Sequence, residues 1–309
     1  MLKGAFIGDP GARCLTPAAF NGKDLAISAF FRPGAPGKRQ AFPDRAKEYL
    51  NLKSLFETEM QLDFAAISLP PVESAGAIKL ALERGLHVVC EPPFCLSSAE
   101  FEKLRAAAER AERTIFPLQP WEHSASWLAL DKAITRGLAG KINFAEVQAL
   151  VPGPPPEEGA AGALGWQAFS MLLGMVRRPP TAIEARLEKG TAAFHAHFGT
   201  ADGFVHIARG AHAPRLRAAA AGDNGRLEID GKLLRLDIRD LPTETVELRF
   251  ELAPGACHPE WLAAELSDFR KEITGELPRG AGLRNARYCV KLLRNASYSA
   301  AVRSAAVPL

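Results

Sequence analysis

The sequence predicts an α/β chain: a doubly wound parallel sheet over residues 1–120, followed by an α+β domain over 121–309 with a large, open, mostly antiparallel sheet. Three observations carry this. A length of 309 residues favours two domains of ordinary size over one. The first hundred or so residues alternate compact apolar runs with helical stretches, the signature of parallel strands joined by crossover helices. The second half instead strings seven strand-like segments together between helices, which fits an open antiparallel sheet.

In order, the apolar runs at 2–7, 25–31, 64–69 and 87–90 lack alternation and read as strands buried on both faces, and 114–118 reads as the last strand of the domain. Residues 74–83 carry helical apolar spacing and stop at Gly85. The segment Ser97-Ser98-Ala99-Glu100 matches a capping box opening a helix to about Arg113. Ligands in such a sheet bind beyond the carboxyl ends of the strands. That brings residues 8–13, 31–32, 69–72 and 91–93 toward one crevice. Downstream, 127–136 and 165–176 read as helices, 142–150 as a strand, and the proline-rich 151–159 as a loop. Strands are expected at 182–188, 191–198, 204–209, 215–220, 225–229, 233–238 and 245–251, then helices at 259–274 and 283–301.

Composition removes other classes. With 47% hydrophobic and 24% charged residues the chain is globular rather than disordered. No run of 18 apolar residues exists, and the N-terminal MLKGAFIGDPGARC is too short for a signal h-region. Five scattered cysteines without CxxC spacing predict reduced thiols and a cytoplasmic setting rather than a disulfide framework or a zinc site. The net charge of +3 is small, and Lys38-Arg39 and Arg177-Arg178 read as solvated surface. Neither a nucleic-acid nor a membrane partner is expected.

The order of elements, with residues 66–71 (AISLPP), 81–93 (ALERGLHVVCEPP) and 134–142 (ITRGLAGKI), resembles the glucose–fructose oxidoreductase / inositol dehydrogenase / MocA (Gfo/Idh/MocA) family over nearly the whole chain. The resemblance implies a Rossmann domain paired with an open-sheet domain, NAD- or NADP-linked chemistry on a sugar-like carbon, and homo-oligomers through the open sheet face. It also implies a small-molecule ligand in the interdomain cleft. Three positions depart from the family pattern. The lysine of its Glu-Lys-Pro motif is replaced in Glu91-Pro92-Pro93, and proline has no proton to transfer. The family's Asp and His, four residues apart, fall on Ala163 and Gln167; glutamine hydrogen-bonds but does not titrate.

The nucleotide loop is altered as well. A form of GxGxxG is expected, because glycines permit the turn and the close approach of a pyrophosphate. Here Gly8 is kept, Pro10 stands at the second glycine and Arg13 at the third, with Gly11 and Ala12 between them. Pro10 removes an amide donor and Asp9 brings negative charge near a phosphate, so binding of NADP or NAD is expected to be weak or absent. At the end of the second strand, where NAD-binding proteins place an acid, stands Phe31, then Arg32, with Lys38 and Arg39 nearby. This set reads either as a 2′-phosphate site favouring NADP or as a strand end beside a solvated loop. The cofactor-binding candidates are Gly8, Gly11, Ala12, Arg13, Arg32, Leu69, Pro70, Glu91 and Pro93; the catalytic candidates are His123, Gln167 and Glu91.

His123 is the titratable imidazole near the expected cleft, with Glu73 or Glu91 as partners, set against a surface role in a linker. Trp166 reads as helix packing or as a stacking platform. His195 and His197 share one strand face, with His206 on a neighbouring strand. No acidic or thiol ligand is evident beside them, so no metal is expected, and an interface or solvent role is favoured. Cys90 and Cys95 read as buried thiols. Two functions follow. The favoured one is a divergent homologue without the family's proton-transfer groups, non-catalytic or chemically altered, acting as a binding or partner subunit. The alternative is an active NADP-dependent oxidoreductase on a sugar-, polyol- or imine-like molecule; a regulatory site for a phosphorylated metabolite is a third.

Overall fold

The computed structural model describes residues 1–10, 14–20, 22–33, 42–154 and 162–309. Six parallel strands, β1 (Leu2–Gly8), β2 (Leu25–Phe31), β3 (Lys47–Tyr49), β4 (Phe64–Ser68), β5 (His87–Cys90) and β6 (Ile115–Pro117), form a sheet in the order β3-β2-β1-β4-β5-β6. Every residue of β4 and β5 is buried. That double burial is why their sequences read as unbroken apolar runs. Helices α1 (Leu52–Thr58), α2 (Pro71–Glu83) and α3 (Ser98–Ala111) lie between strands. Helix α2 begins three residues before the expected start, because Pro71 at its first turn gives up no hydrogen bond. Ser97 caps α3 by accepting from the Glu100 amide, while the Glu100 carboxylate takes the Leu96 amide instead of closing the box onto Ser97. Strand β3 and helix α1 were not expected; each is too short to show a period.

The second sheet has nine strands: β7 (Ile142–Val151), β8 (Ala182–Leu187), β9 (Thr191–His197), β10 (Asp202–Arg209), β11 (Arg215–Gly222), β12 (Gly225–Asp230), β13 (Leu233–Ile238), β14 (Glu244–Glu247) and β15 (Val307–Pro308). Their order is β14-β13-β12-β11-β7-β10-β9-β8-β15, antiparallel except for the β7–β10 pair. Helix α4 (Ala125–Thr135) precedes it, and the apolar α5 (Gly162–Val176) packs on β7 and β10. Phe169 of α5 meets Phe194 of β9 edge-on at 5.0 Å. Along β9, Ala192, Phe194 and Ala196 are buried while their neighbours are half-buried or exposed. The period-2 pattern leaves the other face open. The expected strand at 245–251 is shorter than anticipated, Glu244–Glu247, and β15 at the sheet edge was not anticipated.

Two compact units result: Met1–Pro120 with Cys257–Arg284, and Trp121–Ala256 with Asn285–Leu309. The second unit is therefore not the continuous 121–309 expected. Helix α6 (Pro259–Thr274) returns to the first unit, where Leu262, Leu266 and Phe269 join Phe64 and Val89 in its core. Helix α7 (Leu283–Ala301) lies, after its first two residues, in the second. The expectation of five reduced thiols is corrected too. Cys14 and Cys257, 243 residues apart, form a disulfide within the first unit, while Cys90, Cys95 and Cys289 are free and buried. Sequence spacing says nothing about a pair brought together by a returning helix. Among the described residues no helix is long and apolar enough to cross a membrane.

Candidate functional site

In the first unit, Gly8 and Ser68 stand opposite each other at the carboxyl ends of adjacent strands β1 and β4. Strand order reverses between these strands, the switch point at which doubly wound sheets open a crevice. Gly8 has φ +136°, and a Cβ there would lie 1.9 Å from the Ser68 carbonyl oxygen, so only glycine fits. Asp9 follows, exposed, then Pro10; Gly11, Ala12 and Arg13 lie outside the described residues, as do Lys38 and Arg39.

Glu91, just beyond β5, is buried. Its Oε2 accepts from Ser68 Oγ at 2.6 Å and its Oε1 from the Leu15 amide at 2.5 Å. It therefore ties the end of β4 to the chain returning from the β1 loop. Pro92 is half-buried and Pro93 buried, joined by a cis peptide bond. Leu69 is buried and its carbonyl accepts from Ser74 Oγ at 2.9 Å; exposed Pro70 precedes α2. Arg32, past the end of β2, is nearly buried and pairs with Glu48 of β3 at 3.2 Å. Its Nε has no hydrogen-bond partner among the described residues. A groove of about 530 Å³ lined by Phe31, Leu69, Val72 and Gly76 runs along the same strand ends.

The second unit holds the other candidates. His123 is half-buried in a 3₁₀ turn just before α4, whose N-cap Ser124 accepts from the Trp127 amide. His123 belongs to a different unit from its expected partners Glu73 and Glu91. On α5, Ala163 is exposed in the first turn and Gln167 is buried one turn later on the same side. Gln167 Oε1 accepts from the Gly255 amide at 2.8 Å, while its Nε2 is buried without a partner among the described residues. Trp166 is buried, and its carbonyl oxygen lies 3.9 Å from Cys289 Sγ. The sequence reading missed Ser68, Leu15 and Glu48. Ser68 was visible only as the polar residue ending an apolar strand, and Glu48 sits on the three-residue β3.

On the open face of the nine-stranded sheet, the absence of acidic neighbours expected for His195 and His197 is corrected. Strand pairing sets Glu184 opposite His195 and Asp202 opposite His197. Asp202 Oδ1 stands 2.9 Å from His195 Nε2 and 3.0 Å from His197 Nδ1, which hold its carboxyl below the ordinary carboxylate range. Both acids lie on other strands, so their distance along the chain concealed the cluster.

Residues 4–118 match the family model for the GFO_IDH_MocA oxidoreductase family, NAD-binding Rossmann fold. The uncharacterised oxidoreductase YfiI of Bacillus subtilis is 27% identical over 109 residues, 34% of this chain and 28% of that protein. The uncharacterised oxidoreductase C115.03 of Schizosaccharomyces pombe is 31% identical over 104 residues, 34% of this chain and 28% of that protein. The chain thus matches about a quarter of the length of these relatives. Solved structures share the fold end to end. An inositol dehydrogenase homologue from Azotobacter vinelandii, complexed with NADH and myo-inositol, superposes with a TM-score of 0.81 at 17% identity, covering 100% of this chain and 97% of that one. An oxidoreductase from Agrobacterium radiobacter, complexed with NAD+, L-tartaric acid and magnesium, gives 0.82 at 14% identity over 99% and 98%. The Rossmann domain that carries the Gly8–Ser68 switch point thus matches the GFO_IDH_MocA oxidoreductase family model, and the whole chain shares the fold of these solved oxidoreductases.

Proposed function

We propose that the first unit holds a nicotinamide dinucleotide across the ends of β1 and β4, and that the chain is an oxidoreductase homologue with altered or lost proton transfer. The observation that carries this is the clamp Ser68–Glu91–Leu15, which immediately precedes Pro92, the residue standing where the family has its lysine. The residues fit the dinucleotide. Gly8 brings the end of β1 against β4, the apolar groove beside Phe31 and Leu69 accepts a flat base, and Arg32, whose Nε has no partner among the described residues, lies just past the end of β2. When bound, the nicotinamide supplies hydride exchange. Glu91, with both oxygens engaged, acts as a positioning residue for the strand ends, with Pro70 and Pro93 flanking them. Gln167, its acceptor held by Gly255, offers one amide N–H to a substrate hydroxyl but moves no proton. The likeness to a fold that binds NADH and myo-inositol supports a polyhydroxylated ligand.

A second reading, an active NADP-dependent enzyme on a sugar-, polyol- or imine-like molecule, draws on two observations: the Nε of Arg32, without a partner among the described residues, suits a 2′-phosphate, and half-buried His123 is a titratable group. Thermal melts with NADPH and NADH test the site. At a hundredfold excess over Kd a ligand stabilises by about 2.7 kcal/mol. NADPH is expected to raise the Tm more than NADH, and Arg32→Gln to erase the difference. No shift with either at millimolar concentration sinks the dinucleotide assignment. Steady hydride turnover on a polyol panel, lowered about 10²-fold or more by His123→Ala, selects the second reading over the first.

A further inference from the structure

The open face of the nine-stranded sheet carries a cluster that the oxidoreductase reading does not use. Glu184 of β8 and His195 and His197 of β9 place one ligand atom each within 4.8 Å of one another. All three are half-buried, and they lie where β8, β9 and β10 pair. His197 Nε2 faces Glu184 Oε1 at 3.3 Å while its Nδ1 faces Asp202 Oδ1 at 3.0 Å. A neutral imidazole donates from one nitrogen only. In a neutral ring whose Nδ1–H is given to Asp202, the Nε2 lone pair meets the Glu184 carboxylate, acceptor against acceptor. A cation between them turns that repulsion into two bonds. We propose that Glu184, His195 and His197 bind a divalent transition metal of the zinc class, with Asp202 holding the imidazole ring from behind.

The ligand chemistry selects the metal. Two imidazoles and one carboxylate suit zinc and its neighbours rather than magnesium or calcium, which take oxygen ligands. Tetrahedral zinc with bonds near 2 Å sets its ligand atoms ~3.3 Å apart, so the present spacing closes by small rotamer changes. Asp202 plays the part of the carboxylate that fixes the tautomer of a metal-bound histidine. The ring of Phe204 stacks on His195 at 4.2 Å and 14°, which fixes the plane of that imidazole. Arg186, the cation on the same face of β8, is taken up by Glu188 at 2.6 Å and does not compete. The carboxylates of Glu184 and Asp202 carry the charge that neutralises one divalent ion. The cluster borders a depression of about 350 Å³ on the open face, so a fourth position stays accessible to water or to another donor.

The test is calorimetric titration of chelator-treated, tag-free full-length protein with ZnCl2, with MgCl2 as the contrasting arm. Cobalt absorption in the visible range reports the coordination. The expected result is saturation at one zinc per chain, no comparable magnesium binding, and tetrahedral cobalt bands. Binding is expected to be lost in the His195→Ala/His197→Ala double variant and weakened at least about tenfold in Asp202→Asn. Glu184→Gln, which keeps the side-chain shape, provides the same readout should the double variant unfold. A wild-type isotherm without a one-to-one phase overturns the proposal. So does one that the double variant or Glu184→Gln reproduces, or magnesium binding as tight as zinc.

Discussion

His87 shows what one buried side chain does to the whole stability curve. It opens β5 with its Nδ1 accepting from the Thr114 amide at 3.2 Å. Burial first, then the Arg113 and Arg279 cations, lower its pKa from 6.5 to about 4, against a small opposing pull from Asp63. The unfolded chain binds that proton near pH 6.5 and the folded chain only near 4. The contribution of His87 is therefore fully present above pH 6.5 and is lost as pH falls toward 4, by about 3 kcal/mol at most. Urea unfolding at pH 7 and pH 4.5 checks it: His87→Asn, which keeps an acceptor for Thr114, is expected to lose less stability on acidification than the parent. Equal losses refute the assignment. At this scale the sequence is a poor guide. Pro92, Ala163 and Gln167 could be singled out along the chain, because each is defined by its neighbours in sequence. The partners Ser68, Glu48, Glu184 and Asp202 were missed, because strand pairing and not sequence proximity brings them in.

Elements were easier to read where a period had room to repeat. Helix α3, with its capping serine, and the doubly buried β4 announce themselves in composition and spacing. Strand β3, helix α1 and strand β15 have at most seven residues each and no repeat to recognise. Helix α6 was foreseen as a helix but not as a member of the first unit, since an apolar stripe does not say what covers it. Its attachments are specific. Glu265 accepts from the Gln119 amide at 2.8 Å, and Glu272 accepts from Thr114 Oγ1 at 2.7 Å and the Gly280 amide at 2.8 Å. Phe269 is fully buried, meeting Phe64 edge-on at 5.7 Å and Phe116 at 5.6 Å. Phe269→Ala is expected to cost about 3–5 kcal/mol. Hydrogen exchange is expected to rise in β1 and β4, far away in sequence; acceleration confined to α6 would contradict this packing.

Across the molecule, the fold follows that of the solved oxidoreductases from end to end, and a fold of this kind leaves the chemistry to the residues of its site. The disulfide Cys14–Cys257 fastens the segment following the β1 loop to the approach of α6, inside one unit. A disulfide typically stabilises by about 2–4 kcal/mol. Thiol titration of the oxidised, denatured protein is expected to find the three free cysteines, and five after reduction, with a lower Tm for the reduced form. Five reactive thiols without reductant would remove the bond from the folded state in solution.

The return of residues 257–284 to the first unit has a consequence for the birth of the chain. When Pro120 leaves the ribosome, the parallel sheet has all its strands but lacks the side chains of Leu262, Leu266 and Phe269 that complete its core. At about 5–20 residues per second, on the order of ten seconds pass before α6 is made. Throughout that interval Phe64 and Phe116 await their partner ring, so the nascent first half is a natural client for chaperones that hold apolar surface.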